Sequence, residues 1–278
     1  MPTRIVQSKQ NDRLKQLRRV LAKPAHSPSS LIALEGPNLV EEALRARLAI
    51  DCLFLSARFE PWLQQLPLPQ ETEVLLVPEE ILASILTTDN PQPVAALVEP
   101  PDWTWAHLLG GPNQLTPLFI VLAGLQDPGN LGAILRSAEA FGASGVVALP
   151  GTVSPWNPKA LRASAGSAFR VPFLTATPDE CFARLREARI PVLATVPQPS
   201  SKTLLHAMVL PATDLAGPVT FLIGNEGNGL APDLLRHSAS SITIPCPGPV
   251  ESLNAAVAAS ILLYEASRQR LAGTEAHR

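Results

Sequence analysis

The sequence predicts an α/β protein built in two blocks, and three observations carry that prediction. Short apolar runs of strand length alternate with longer segments whose apolar residues recur at helical spacing. In the second half the strand-like runs, such as LFIVLAG at 118–124 and VTFLIG at 219–224, are apolar almost throughout instead of alternating, the pattern of a parallel sheet covered on both faces. Between the halves, a stretch from PDWTW onward turns rich in Gly, Pro and Asn, as a domain boundary does. The expected division is residues 1–100, a linker at 101–116, and residues 117–278.

The first block opens on a basic helix over about 11–21. An apolar strand, LIALEG (31–36), leads into a helix over 38–48 with Leu39, Val40, Ala43, Leu44 and Leu48 near one face. Strand-like CLFLS (52–56) and VLLVP (74–78), the helix EEILASIL (79–86) and the strand PVAALVEP (93–100) complete an α/β sandwich. In the second block LFIVLAG is followed by the helix NLGAILRSAEAFG, the strand GVVAL and a loop into a helix at NPKALRASAGSAF. Then come strand-like VPFLT, the helix DECFARLREAR, the strands PVLATV and VTFLIG, a short helix APDLLRHS, the strand SITIP and a long apolar final helix.

Composition narrows the function classes. With 46% hydrophobic and 17% charged residues, the chain can bury a core, which excludes wholesale disorder. No apolar run reaches the length of a membrane span, and the charged first twenty residues lack the apolar stretch of a signal peptide. Cys52, Cys181 and Cys246 lie far apart, without metal-ligand spacing, and read as apolar residues in a reducing cytoplasm. The net charge of −2 speaks against nucleic acid, but its distribution does not. Residues 1–23 hold seven cations (Arg4, Lys9, Arg13, Lys15, Arg18, Arg19, Lys23) against Asp12 alone, and Lys159, Arg162 and Arg170 form a second cluster. The first cluster reads equally as a solvated amphipathic helix or as a surface for phosphate.

Three loops follow apolar strands in the second block, where ligands bind in open α/β sheets. In the first (124–142), Pro128-Gly129 turns the chain, Asn130 can cap the next helix, and Arg136 is a lone cation among apolar and small residues. The capping role alone would account for Asn130. The loop is not a GxGxxG dinucleotide site, which opposes a nicotinamide cofactor. In the second (221–230), three glycines around Glu226 allow a ligand close to the backbone, although a tight connection would need similar residues. In the third (242–266), prolines stiffen the chain around Gly248, Glu251 or Ser252 can cap the final helix, and Asn254 is expected in its first turn.

Taken in order, QDPGNLGAILRSAEAFGASGVV, FLIGNEGNGLAPDLL and IPCPGPVESLNAAVAASILLYE resemble the SpoU/TrmH branch of the SPOUT RNA methyltransferases. NPKALRASAGSAFRVP is similar to the same family. SKQNDRLKQL, LIALEGPNLVEEAL and NPQPVAALVEPP resemble the N-terminal substrate-binding domain of its rRNA-modifying members. The resemblance implies a SPOUT-type parallel sheet with a deep trefoil knot, an exception to the rule that chains are unknotted, beside a small N-terminal α/β substrate-binding domain. It implies S-adenosylmethionine as cofactor, contacted at Gly224, Ile244 and Leu253. It implies transfer of a methyl group to a ribose 2′-hydroxyl of RNA, 23S rRNA first, with tRNA or a non-catalytic RNA-binding role as alternatives. Arg136, Asn130, Glu226, Ser252 and Asn254 would carry catalysis, and Lys159, Arg162 and Ser164 would contact RNA. A cytoplasmic homodimer, with the final helix in its interface and no metal, completes the expectation.

Overall fold

A computed structural model describes residues 3–23, 30–109, 116–197 and 207–275. Along the chain run β1 (Thr3–Ile5), α1 (Asp12–Ala22), β2 (Ile32–Glu35), α2 (Pro37–Arg45), β3 (Ile50–Leu55), α3 (Glu60–Leu63), β4 (Glu73–Leu76), α4 (Glu79–Ala83) and β5 (Val94–Val98). Then come α5 (Trp105–Leu109), β6 (Leu118–Leu122), α6 (Pro128–Ala140), β7 (Gly145–Ala148), α7 (Pro158–Ser164), β8 (Phe173–Thr175), α8 (Pro178–Glu187) and β9 (Val192–Thr195). The last elements are β10 (Ala207–Val209), β11 (Val219–Ile223), α9 (Pro232–Leu235), β12 (Ser240–Thr243) and α10 (Ala255–Glu275).

These elements form two compact units. One is Met1–Asp102 with Ser154–Arg170; the other is Trp103–Val153 with Val171–Arg278. Residues 154–170, expected within the C-terminal block, therefore cluster with the first unit. The reason is electrostatic and steric: Arg162 pairs with Glu35, Arg170 pairs with Glu42, and Gly166 lies against the Glu42 side chain. The expected linker holds α5, whose Leu108 is buried; its residues 110–115 lie outside the described set.

The first unit carries a five-stranded sheet in the order β1-β4-β3-β5-β2, in which β5 runs antiparallel to both neighbours. Helix α1 starts where the Asn11 side chain accepts the N–H groups of Arg13 and Leu14, satisfying two of the orphan donors of a helix start. It then buries Leu14, Leu17 and Leu21, spaced three and four apart, against Phe54, Leu75 and Leu97 of the sheet.

The second unit carries a seven-stranded, wholly parallel sheet in the order β10-β12-β9-β11-β6-β7-β8. Every residue of β6, β7 and β11 is buried, which is why these strands read as continuous apolar runs. Two helix starts differ from the expectation. Asp127, not Asn130, caps α6, its carboxylate accepting the Asn130 N–H at 2.8 Å. Asn254 lies just before α10, not in its first turn, and its side chain accepts the N–H groups of Ala256 and Val257. The short strands β1 and β10 were not foreseen; three residues give too little pattern to read.

Candidate active site

The three loops singled out in the second unit converge through side chains. Glu226, after β11, accepts hydrogen bonds from the main-chain N–H groups of Gln126 and Asp127, each at 3.3 Å, and from the Asn130 amide at 3.1 Å. The Asn130 carbonyl oxygen accepts in turn from the Asn254 amide at 2.9 Å. One carboxylate and two amides thus join the loops before α6, after β11 and before α10. Partial burial pulls the Glu226 carboxyl upward, but the Asn130 amide and the N–H groups of Glu226, Asp127 and Gln126 overcome that, so it stays below the ordinary carboxylate value.

Asn225, not foreseen as a site residue, shapes the middle loop. Its amide donates to the Gly124 carbonyl at 2.7 Å, and its side-chain oxygen accepts from Gly227 and Asn228 at 2.8 and 3.2 Å. Its backbone pairs with Gly229 in both directions. The signal was present in the sequence, since an Asn heading N-E-G-N-G can hydrogen-bond to the backbone two residues on. The fold of this loop demands glycine at Gly224, where a Cβ would stand 2.5 Å from the Gly229 carbonyl carbon.

The resulting cavity measures about 900 Å³, within the range of small-molecule sites. Gly224, Ile244, Leu253, Glu226 and Ser252 all line it, as does Thr195 at the end of β9. The Thr195 hydroxyl is buried and finds no hydrogen-bond partner among the described residues. Among those residues no group of three or more His, Cys, Asp or Glu is placed to hold a metal ion. Cys246 also lines the cavity, whereas burial pushes the Cys52 and Cys181 thiols up to about 12, leaving them unreactive.

Other expected residues fall elsewhere. Arg136 stands exposed on α6 and forms no hydrogen bond or ion pair among the described residues, so neither Glu226 nor the two asparagines orient it within this chain. Lys159, exposed on α7, belongs to the first unit with Arg162 and Ser164. Arg162 reaches the nearly buried Glu35 at 3.4 Å. Ser164 corrects the expectation outright: it is fully buried, its hydroxyl donates to the Leu161 carbonyl at 2.8 Å, and it presents nothing to RNA.

Residues 117–264 match the SpoU rRNA Methylase family, and residues 11–96 match an MRM3-like substrate binding domain. An uncharacterized tRNA/rRNA methyltransferase of Synechocystis is 34% identical over 97% of this chain and 95% of its own. The 23S rRNA (guanosine(2553)-2′-O)-methyltransferase of Bacillus subtilis is 27% identical over 93% of this chain and 97% of its own. Among solved structures, the AdoMet-bound rRNA methyltransferase from Sinorhizobium meliloti is similar, with a TM-score of 0.81 and 30% identity, covering 96% of this chain and 98% of that one.

Proposed function

The chain belongs to the SpoU rRNA methylase family, and from that premise we infer that it transfers a methyl group from S-adenosylmethionine to a ribose 2′-hydroxyl of RNA, in 23S rRNA. The observation that carries this reading is the Glu226–Asn130–Asn254 chain of hydrogen bonds at the edge of the 900 Å³ cavity. It fixes three loops around one opening, which a fold alone does not require.

The residues present fit the cofactor. The cavity is large enough, and the close approach of Gly224 to Gly229 leaves backbone groups to face a ligand. The unpartnered Thr195 hydroxyl offers a polar contact. Gly224, Ile244 and Leu253 would hold it. When bound, it supplies an electrophilic methyl group on a cationic sulfur. Glu226 lines the cavity with its charge met by neutral donors only, so its negative charge would favour a cationic ligand there.

The work left to the side chains is alignment and management of one proton. Arg136 grips an RNA phosphate and donates to the 2′-hydroxyl; a guanidinium holds its own proton to pH above about 12, so the hydroxyl proton leaves to phosphate or water. Asn130 and Asn254 act as positioning residues, since each is already committed to the loop clamp. Ser252, exposed at the cavity, hydrogen-bonds substrate. Lys159 and Arg162 contact RNA.

Arg136 meets that task from a partner subunit. α10 packs on α6 and exposes Val257, Tyr264 and Leu271, which are 47%, 53% and 65% accessible and recur every seven residues. Such an apolar stripe supports a homodimer, in which Arg136 serves the other copy. The strand order, with β11 between β9 and β6 and β12 beyond β9 before α10 returns to α6, supports the trefoil knot. Among the described residues no helix is long and apolar enough to cross a membrane; we place the enzyme in the cytoplasm, with its rRNA substrate.

The test is transfer from labelled S-adenosylmethionine to unmodified rRNA and tRNA pools, with Arg136→Ala as control. Label recovered as a 2′-O-methyl nucleoside of 23S rRNA, and lost in the variant, is the expected result. Label on a base overturns the mechanism, and label confined to tRNA overturns the substrate.

A further inference from the structure

The most uneven charge in the molecule lies on α1, far along the sequence from the residues assigned to chemistry. Seven of the chain's cations fall in residues 1–23 beside one acid, while the chain as a whole carries −2. The structure shows which of them are spoken for. Arg13 pairs with Asp51 and Glu73, both at 2.8 Å, and Lys15 pairs with Asp12 at 3.1 Å. Among the described residues no ion pair reaches Lys9, Arg18, Arg19 or Lys23, all of them exposed.

Geometry gathers these groups on one side. Leu14, Leu17 and Leu21 are buried in the core, so the helix cannot roll; Lys15 and Arg19 stand four residues apart on the outer face, and the exposed Arg18 flanks it, three residues from Lys15. Lys23 continues the row four residues beyond Arg19. From Lys15 to Lys23 the row spans about 12 Å at 1.5 Å per residue. Along a duplex axis each strand advances about 3.4 Å per phosphate, so the row matches the axial rise of three or four nucleotides.

A solvated surface helix in this same chain looks different. Helix α8, of similar length, sets Asp179, Glu180 and Glu187 against Arg184 and Arg186, and Arg184 pairs with Glu187 at 3.6 Å. Helix α1 omits that balance at the cost of repulsion between like charges, which an anionic partner would relieve.

We propose that the outer face of α1, through Arg18, Arg19 and Lys23 with Lys15 and Lys9 at its other end, is a contact surface for the sugar–phosphate backbone of the RNA substrate. The proposal rests on the RNA reading above and adds the surface that holds the RNA apart from the reacting nucleotide. Backbone contacts of this kind position a substrate without reading its sequence.

The experiment compares full-length wild-type protein, Arg18→Ala/Arg19→Ala, and Arg184→Ala/Arg186→Ala, which removes the same charge from α8. Binding to an unmodified 23S rRNA transcript is measured across a salt series, and methyl transfer to it at varied RNA. The α1 variant should lower the slope of log affinity against log salt by about 2. Its KM for RNA should rise about tenfold, with kcat and melting temperature unchanged. The α8 variant should match wild type. Equal losses in both variants, or a wild-type slope in the α1 variant, overturn the proposal. If wild type binds the transcript but transfers no methyl group, the enzymatic reading fails while the slopes still decide the surface.

Discussion

Glu226 and Glu35 are both acids at strand ends, and they are held in opposite ways. Glu226 is surrounded by neutral donors, two backbone N–H groups and the Asn130 amide. Glu35, with a side chain only 3% exposed, takes one backbone N–H from Thr87 at 2.9 Å and a cation, Arg162. The first arrangement orders three loops and keeps a negative charge at a cavity. The second cancels a charge and ties residues 154–170 to the first unit. The difference lies in the partners: neutral donors leave the exposed Glu226 its charge, whereas the paired arginine cancels that of the buried Glu35.

The comparison can be broken most sharply at the loop that carries Glu226. Gly224→Ala forces a Cβ to within 2.5 Å of the Gly229 backbone; strain of about 1–3 kcal/mol should disrupt the loop and abolish detectable cofactor binding by calorimetry. Glu226→Ala removes the acceptor of three solvent-exposed donors and should cost about 0.5–1.5 kcal/mol in chemical denaturation, with loss of methyl transfer. Glu226→Gln keeps much of the shape and removes the charge; cofactor affinity should fall while the melting temperature changes less than in the alanine variant. An unchanged affinity would show that the charge at the cavity has no role.

On the other side of the comparison, Glu35→Ala should destabilise the first unit by about 1–2 kcal/mol, since it strands the Thr87 N–H and Arg162. At saturating RNA its kcat should equal that of wild type. Ser164→Ala should cost about 0.5–1.5 kcal/mol for one hydrogen bond to its own helix and leave RNA affinity unchanged. A large loss of RNA affinity there would restore Ser164 as a contact.

The smallest effect is a pH dependence. The Glu226 carboxyl is held below its ordinary value in the folded protein, so its contribution to stability is complete above the unfolded value, near pH 4.3. It is lost as pH falls through the folded value. The stability gap between wild type and Glu226→Gln should therefore be constant at neutral pH and narrow only below about pH 5.

Much of this was legible from local pattern. Continuous apolar runs announced buried parallel strands because a strand covered on both faces has no polar side, and β6 and β11 are buried at every position. The three loops stood out because Gly, Pro and Asn break that pattern at strand ends. What could not be read is which loop residue meets which. Asn130 looked like a cap, but Asp127 took that role and freed Asn130 to bridge Glu226 and Asn254. Ser164 and Arg162 sit two residues apart on one helix, yet one faces inward and the other an acid 127 positions away.

The sequence by itself determined the α/β class, the parallel second sheet, the three loops that meet beside the cavity and the family, because each rests on short-range periodicity or on motif text. Only the tertiary structure decided the neutral shell around Glu226, the assignment of residues 154–170 to the first unit and the unpaired cations of α1. Those are closures between residues up to 128 positions apart, and their partners are chosen by the packing of whole elements, which no local pattern encodes.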